Sequence, residues 1–132
     1  MNEKITVFTE SDQLYDTVKK CVLAENIEVS KFNIKEYKKA GDVEADMLIV
    51  DFDGYGDTHE DLMKIFNVKY YINKSILVCI GEIHRRYLLD LFSFGVEDYI
   101  KKPLDENEMT TKIAAILRYQ RWLDKNKFRF ST

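Results

Sequence analysis

The stretch ADMLIVDFDGYGD, residues 45–57, contains a run of apolar residues from Met47 to Val50 that ends abruptly at an acid, Asp51. Another acid and two glycines follow at once. Continuous apolar strands are buried on both faces, which is typical of parallel sheets. A carboxylate is costly to bury without a partner, so Asp51 is either a solvated loop residue or part of a site built where the strand ends.

Strand-like and helix-like segments alternate on either side of this stretch. The predicted strands are residues 4–8, 27–32, 46–51, 75–80 and 96–101. The predicted helices are residues 11–26, 33–41, 58–73, 82–95 and 105–123. Five strands alternating with five helices predict βαβ units with right-handed crossovers, and therefore a doubly wound α/β domain with helices on both faces of a parallel sheet.

Several helix ends carry residues that begin or stop helices. Ser11 or Asp12 begins the first helix, and Asp105, with Glu108 three residues later, begins the fifth. Gly95 is placed to stop the fourth. These signals support the predicted ends of the first, fourth and fifth helices.

Composition limits the classes of function. The chain has 132 residues, which suits one domain, and we expect it at residues 1–123 with 124–132 as a tail or the start of a linker. The 20 basic and 23 acidic residues give a net charge of −3, which favours neither nucleic acid nor an anionic membrane as a partner. No apolar stretch approaches the roughly 20 residues that cross a bilayer. Cys21 and Cys79 lack metal-site spacing and predict buried free thiols in a reducing cytoplasm.

Charged residues follow the predicted strands at the edge of the sheet where sites form in such folds. In parallel strands, Glu10, Asp51 and either Lys101 or Lys102 would converge there. Two carboxylates and a loop carbonyl form an oxygen-rich site suited to a hard cation such as Mg²⁺, and an ammonium group would balance their charge. Such a site could stabilise a phosphoryl group in transfer.

Residues 4 to about 122 resemble the receiver domains of two-component response regulators. The segments that carry the resemblance are DMLIVDFD, residues 46–53, and GVEDYIKKPL, residues 95–104. The resemblance implies a flavodoxin-like receiver fold, a five-stranded parallel sheet in the order 2-1-3-4-5. It also implies a signalling role, not an enzyme, in a cytoplasmic phosphorelay.

The resemblance assigns roles to residues at the predicted edge. Asp51 corresponds to the aspartate that accepts a phosphoryl group from a sensor histidine kinase, and Lys102 to the lysine that pairs with that group. Glu10, Asp51 and the backbone carbonyl of Asp53 correspond to the Mg²⁺ ligands. Tyr99 corresponds to the aromatic residue that changes rotamer on activation.

Two positions depart from the pattern of the family. Thr9 stands where the first acid of the metal-binding pair is expected, and Ile80 replaces the Thr or Ser at the end of the fourth strand. That hydroxyl normally couples the phosphoryl group to the aromatic switch, which isoleucine cannot do. For Tyr99, the plain interpretation is then a half-buried strand residue.

Pro103 matches the proline that usually follows a cis peptide bond.

Alternative functions remain open at this point. A pseudo-receiver would keep the fold as a protein-binding module whose output does not depend on phosphate, and Thr9 and Ile80 favour it. A flavodoxin-like FMN carrier is disfavoured because the loop TESDQ, residues 9–13, is acidic and lacks glycines that could cradle a phosphate. No basic helix favours direct binding of nucleic acid.

One surface is a candidate for self-association. The fourth helix, fifth strand and fifth helix carry charges that loosely resemble the homodimer face of the winged-helix branch of the family: Arg85, Arg86, Asp98, Lys112 and Arg118. The alternative is an ordinary solvated face, since exposed charge pairs stabilise little singly.

Overall fold

A computed structural model of the chain describes residues 3–52, 62–65, 67–68, 71, 74–81 and 85–130, with the side chains of 85–87 and 127–130 excepted. The strands are β1 (Glu3–Phe8), β2 (Ile27–Phe32), β3 (Met47–Asp51), β4 (Ser75–Ile80) and β5 (Asp98–Lys101). The helices are α1 (Asp12–Cys21), α2 (Tyr37–Ala40, preceded by a 3-10 turn at Ile34–Glu36), α3 (residues 62–65), α4 (Arg85–Ser93) and α5 (Glu106–Phe130).

The five strands form one sheet in the order β2-β1-β3-β4-β5, and every neighbouring pair is parallel. This confirms the predicted α/β class and the 2-1-3-4-5 order. The chain order reverses between β1 and β3, so the carboxyl ends of these two strands flank the crevice where sites form in doubly wound folds.

The continuous apolar runs of β3 and β4 bury side chains on both faces of the sheet, as predicted. On one face they pack with α1 and α5 through a cluster that includes Val7, Ile49, Leu77, Val18 and Ile113. The alternate residues of the same strands pack on the other face with the second to fourth helices, in a cluster that includes Leu48, Val78, Ile65 and Leu91. Because successive side chains of a strand alternate, position parity decides which layer each residue joins.

Helix ends follow the predicted caps. The Ser11 hydroxyl accepts a hydrogen bond from the Leu14 N–H at 3.2 Å, and Asp105 Oδ1 accepts from the N–H groups of Asn107 and Glu108. Gly95 has a φ of 95°, a conformation that favours glycine and stops α4. These local bonds fix where the connecting loops leave the helices.

Some details differ from the sequence prediction. Helix α1 ends at Cys21, earlier than predicted, while α5 continues past position 123 to Phe130. Neither cysteine forms a disulfide, but only Cys79, in β4, is buried as predicted, whereas Cys21, the last residue of α1, is half-buried. Most of the predicted third helix, including its expected first residue Thr58, lies outside the described residues.

Within the described segments, no helix is both long enough and apolar enough to cross a membrane.

Candidate functional site

Asp51 is the last residue of β3 and is only 6% exposed. Met47, Ile49 and Asp51 are alternate residues of β3, so Asp51 lies on the same face of the sheet as the other two, the face covered by α1 and α5. The parallel register places it beside Cys79 of β4. A carboxylate this buried needs partners that replace the water it has lost.

Lys102 supplies the first partner. It directly follows β5, and its Nζ donates to Asp51 Oδ1 at 2.8 Å. Its backbone N–H bonds to the carbonyl of Ile80 at 2.6 Å, which holds the start of the loop against β4. The Lys102–Pro103 peptide bond is cis, as the resemblance implies. The end of β5 therefore brings an ammonium group to the end of β3.

Thr9 supplies the second partner. Its hydroxyl, on a residue only 1% exposed, donates to Asp51 Oδ2 at 2.7 Å. The strand pairing explains the contact: Val7 is paired with Ile49, so the residues two further along each strand lie side by side on the same face. Both carboxylate oxygens of Asp51 thus accept a hydrogen bond, one from a cation and one from a neutral hydroxyl.

The loop between β1 and α1 is tied to β2 through a separate pair of contacts. Glu10 Oε1 accepts from Asn33 Nδ2 at 2.7 Å, and Lys31 Nζ donates to Asp12 Oδ1 at 2.8 Å. The hydrogen bond and charge of Lys31 lower the pKa of Asp12 below its usual value, while the same bond raises the pKa of Lys31. The structure therefore brings Asp51 and Lys102 together, whereas the described partner of the Glu10 carboxylate is Asn33.

Ile80 and Tyr99, the two predicted switch positions, belong to the opposite face. Ile80 is buried in the cluster beneath α4. The Tyr99 ring meets Phe92 of α4 edge to face at a centroid distance of 6.0 Å, and Lys112 of α5 donates to the Tyr99 carbonyl at 2.6 Å. The ring lies half-buried against the same cluster as Ile80. Tyr99 is thus packed between α4 and α5, against the cluster that contains Ile80, and Ile80 has no hydroxyl to offer.

The donor chemistry of the site fits a hard divalent cation in part. Asp51 at the end of β3 and Glu10 in the loop after β1 carry carboxylate oxygens, the ligand type that Mg²⁺ prefers. Among the described residues, however, no three His, Cys, Asp or Glu side chains group closely enough to hold a metal. Thr9 brings no charge where a further acid is expected, and Asp53, the predicted carbonyl ligand, lies outside the described residues.

Comparison with solved structures finds the same architecture in signalling proteins. A response regulator from Thermotoga maritima superposes with a TM-score of 0.78 at 18% identity, over 89% of this chain and 99% of that one. The chemotaxis response regulator CheY4 of Vibrio cholerae gives 0.76 at 16% identity, over 88% and 99%. A CheY-like protein, TadZ, from Pseudomonas aeruginosa gives 0.67 at 14% identity, over 87% and 99%.

The chain has the fold of a response regulator receiver domain. No protein-family model and no curated protein sequence matches it. The receiver fold, with its 2-1-3-4-5 sheet, places the ends of β1, β3 and β5 around one crevice, which is where Thr9, Asp51 and Lys102 meet.

Sequence reasoning missed the direct contact between Thr9 and Asp51 in this receiver fold. Thr9 was singled out only as a neutral residue at an acidic position. A signal for the contact was present, since Ile5, Val7 and Thr9 have the same parity along β1 and the switch of strand order makes β1 and β3 neighbours. The sequence alone could not show that the hydroxyl reaches the carboxylate.

Proposed function

We propose that residues 1–123 are a signalling receiver that accepts a phosphoryl group on Asp51 and responds by a change of conformation, with 124–132 as a tail or linker. The observation that carries this proposal is the buried Asp51 carboxylate paired with Lys102 at 2.8 Å. A buried acid at a crevice of the sheet, held by one lysine, has both the nucleophilic oxygen and the counter-charge that phosphoryl transfer requires.

The chemistry is a transfer between two nucleophiles. An Asp51 oxygen attacks phosphorus in line, the bond from phosphorus to the nitrogen of a phosphohistidine breaks, and that nitrogen keeps the electron pair. The product is an acyl phosphate on Asp51. Lys102 stabilises the negative charge on the phosphoryl oxygens, and Thr9 orients the carboxylate by its hydrogen bond to Oδ2.

We propose Mg²⁺ as the cofactor, held by Asp51, Glu10 and the backbone carbonyl of Asp53. When bound, the ion would neutralise charge on the phosphoryl oxygens. Thr9 leaves this set one carboxylate short, so we expect weaker Mg²⁺ binding than in a receiver with two acids after β1.

The partners follow from the same proposal. A sensor histidine kinase would supply the phosphoryl group in the cytoplasm, a reducing compartment that suits two cysteines that form no disulfide. We also propose that the receiver forms a homodimer through what we call the 4-5-5 face: α4, β5 and the side of α5 that carries Lys112. Lys112 Nζ lies 3.5 Å from Asp98 Oδ1, and Leu89 and Phe92 are exposed apolar residues of α4, with the Phe92 ring against Tyr99 of β5.

The decisive experiment is phosphorylation by a small donor. The protein is incubated with acetyl phosphate and Mg²⁺ and its intact mass is measured. A gain of about 80 Da, corresponding to one phosphoryl group, is expected for the wild type and not for Asp51→Asn. Lys102→Ala should slow the gain by about ten-fold or more, because a hydrogen bond to a charged group contributes about 1.5–3 kcal/mol.

Lys101→Ala is the matched control for Lys102→Ala. Lys101 is the adjacent residue and is exposed, so the Lys101→Ala variant should be phosphorylated on Asp51 at the wild-type rate. Failure of the wild type to gain mass, or an equal gain by Asp51→Asn, would contradict the proposed phosphoacceptor.

A second candidate function is a phosphate-independent interaction module with the same fold. The buried Ile80 favours it, since no hydroxyl at that position links Asp51 to Tyr99. In that case Asp51→Asn would leave partner binding unchanged, whereas a phosphorylated receiver would bind its partner more tightly or more weakly after treatment with the donor.

A further inference from the structure

The Thr9 hydroxyl lies between the Asp51 carboxylate and the first turn of α1. It donates to Asp51 Oδ2 at 2.7 Å, and the Ser11 backbone N–H donates to it at 3.0 Å. Because an N–H can only donate, Thr9 receives that bond on a lone pair and its single proton is directed to the carboxylate. The direction of both bonds is therefore fixed by the chemistry of the groups.

Ser11 connects this pair of bonds to the start of α1. Ser11 is the N-cap of this helix, and its own hydroxyl accepts from the Leu14 N–H at 3.2 Å. A hydroxyl that donates to a carboxylate becomes a better acceptor itself. The Asp51 carboxylate therefore strengthens the bond that Thr9 accepts from the Ser11 N–H. The start of α1 is thus coupled to the charge of a side chain on β3.

The other partner of Asp51, Lys102, lines a groove beside the start of α1. Lys102, bound to Oδ1, begins the loop from β5 to α5, and this loop faces the start of α1 across a groove of about 390 Å³. Ser11 and Leu14 line one wall of the groove, and Lys102 and Leu104 line the other. Asp51 is therefore bonded, through Thr9 or directly, to residues on both walls.

The hydroxyl at this site comes from the end of β1, whereas the resemblance implies one at the end of β4 that couples the phosphoryl group to the aromatic switch. At the end of β4, Ile80 is 1% exposed and packs on the face away from α1. At the end of β1, Thr9 provides the hydroxyl instead. A change at Asp51 has a direct hydrogen-bonded route to α1 through Thr9.

We propose that Thr9 is a positioning residue through which the state of the Asp51 carboxylate controls the start of α1 and the groove beside it. If phosphorylation of Asp51 is the natural input, this coupling is its regulation, and in that respect it rests on the proposed function. The coupling itself requires only that the charge on Asp51 changes. It can therefore be tested without a phosphodonor.

The test is a double-mutant cycle read by amide hydrogen exchange in the ¹⁵N-labelled protein. In Asp51→Asn, the amide oxygen stays with Lys102, which only donates, and the amide NH₂ group faces Thr9. The Ser11 amide then loses the polarisation of its bond to Thr9, and we expect its exchange to accelerate by about three-fold or more. In a Thr9→Val background, Asp51→Asn should change the exchange of Ser11 and Leu14 by much less.

Three further variants keep the test decisive. Thr9→Ser retains the hydroxyl and should retain the response of Ser11 to Asp51→Asn. Thr6→Val makes the same substitution in β1 on the opposite face of the sheet, and should also leave the response intact. Thr9→Ala is the second variant without the hydroxyl, for use if Thr9→Val does not fold.

An equal response of Ser11 to Asp51→Asn with and without the Thr9 hydroxyl would overturn the proposal. The outcome is separable from that of the phosphorylation experiment. If acetyl phosphate adds no mass but the cycle shows coupling through Thr9, the proposed phosphoacceptor is wrong and the coupling stands. If mass is gained but no coupling is found, the proposed phosphoacceptor stands and the coupling through Thr9 is wrong.

Discussion

Asp51 is held in a nearly closed site by two unlike donors. Lys102 provides charge, and Thr9 provides a hydrogen bond without charge. A buried ion pair contributes modestly as a whole, but removing one partner leaves a buried charge uncompensated, which costs about 3–5 kcal/mol. The neutral Thr9 lets the site close with a single lysine, whereas a second carboxylate there would repel Asp51.

At this scale we predict that Thr9→Asp strengthens Mg²⁺ binding. The new carboxylate would face Asp51, and a divalent cation bound between two neighbouring carboxylates reduces their repulsion. Titration calorimetry should show Mg²⁺ affinity raised by about ten-fold or more, and without Mg²⁺ the variant should unfold at lower denaturant concentration than the wild type.

Thr9→Asn is the control for this substitution. It has nearly the shape of Asp but no charge, so it should not gain affinity for Mg²⁺. Equal affinities of the wild type and Thr9→Asp would show that Thr9 is not what limits cation binding.

Among the elements, α2 shows how closely a short helix can approach its neighbours. Gly41 follows α2 with an ordinary φ of −63°, so its backbone does not require glycine. The limited space around Gly41 does require glycine, since a Cβ there would lie 2.8 Å from Val68 Cγ1 and 3.2 Å from the Tyr37 carbonyl oxygen. Tyr71 secures the same region through hydrogen bonds from its hydroxyl to the carbonyls of Ala40 and Val43, and burial raises its pKa.

We therefore predict that Gly41→Ala destabilises the protein. At an open site with this φ, alanine would stabilise by about 0.4–1 kcal/mol through the unfolded state. Here it meets a β-branched side chain that cannot rotate away freely, and overpacking costs about 1–3 kcal/mol. The net loss of unfolding free energy in urea should be about 1 kcal/mol.

Val68→Ala provides the matched background for this measurement. It removes the Cγ1 atom, so Gly41→Ala should become neutral or stabilising there. Equal losses in both backgrounds would mean that the contact with Val68 is not the cause.

For the whole molecule, the strands were the most predictable part. The bounds of β2 and β4 agree with the sequence prediction, because alternation and continuous apolar runs directly reflect burial on one or two faces. The edge rule for parallel sheets predicted that Glu10, Asp51 and either Lys101 or Lys102 would converge, and the structure brings Lys102 to Asp51 but pairs Glu10 with Asn33. The hydrogen bonds of Thr9 and Glu10 could not be predicted, because they depend on side-chain rotamers set by neighbouring strands and not on the local pattern of apolar and polar residues.

The 4-5-5 face yields a prediction about assembly. Leu89 is 60% exposed on α4, and a charge there should oppose burial in a homodimer. Leu89→Glu should weaken self-association by about ten-fold or more in sedimentation velocity with acetyl phosphate present.

Leu23→Glu is the control for assembly, since Leu23 is 81% exposed just after α1 and outside the 4-5-5 face. It should associate as the wild type does. A wild type that stays monomeric at all concentrations, or equal effects of the two substitutions, would contradict the homodimer.

Helix α5 is a single rigid element that extends beyond the layer it covers. Its 25 residues span about 37 Å, since an α-helix rises about 1.5 Å per residue. It is held to the sheet over most of that length, from Met109 to the buried Gln120, and Arg121 pairs with Glu3 of β1. Residues 122–130 continue the helix for about 13 Å past this pair. A continuous helix would thus carry any change in the tilt of its packed part to the far end without a hinge.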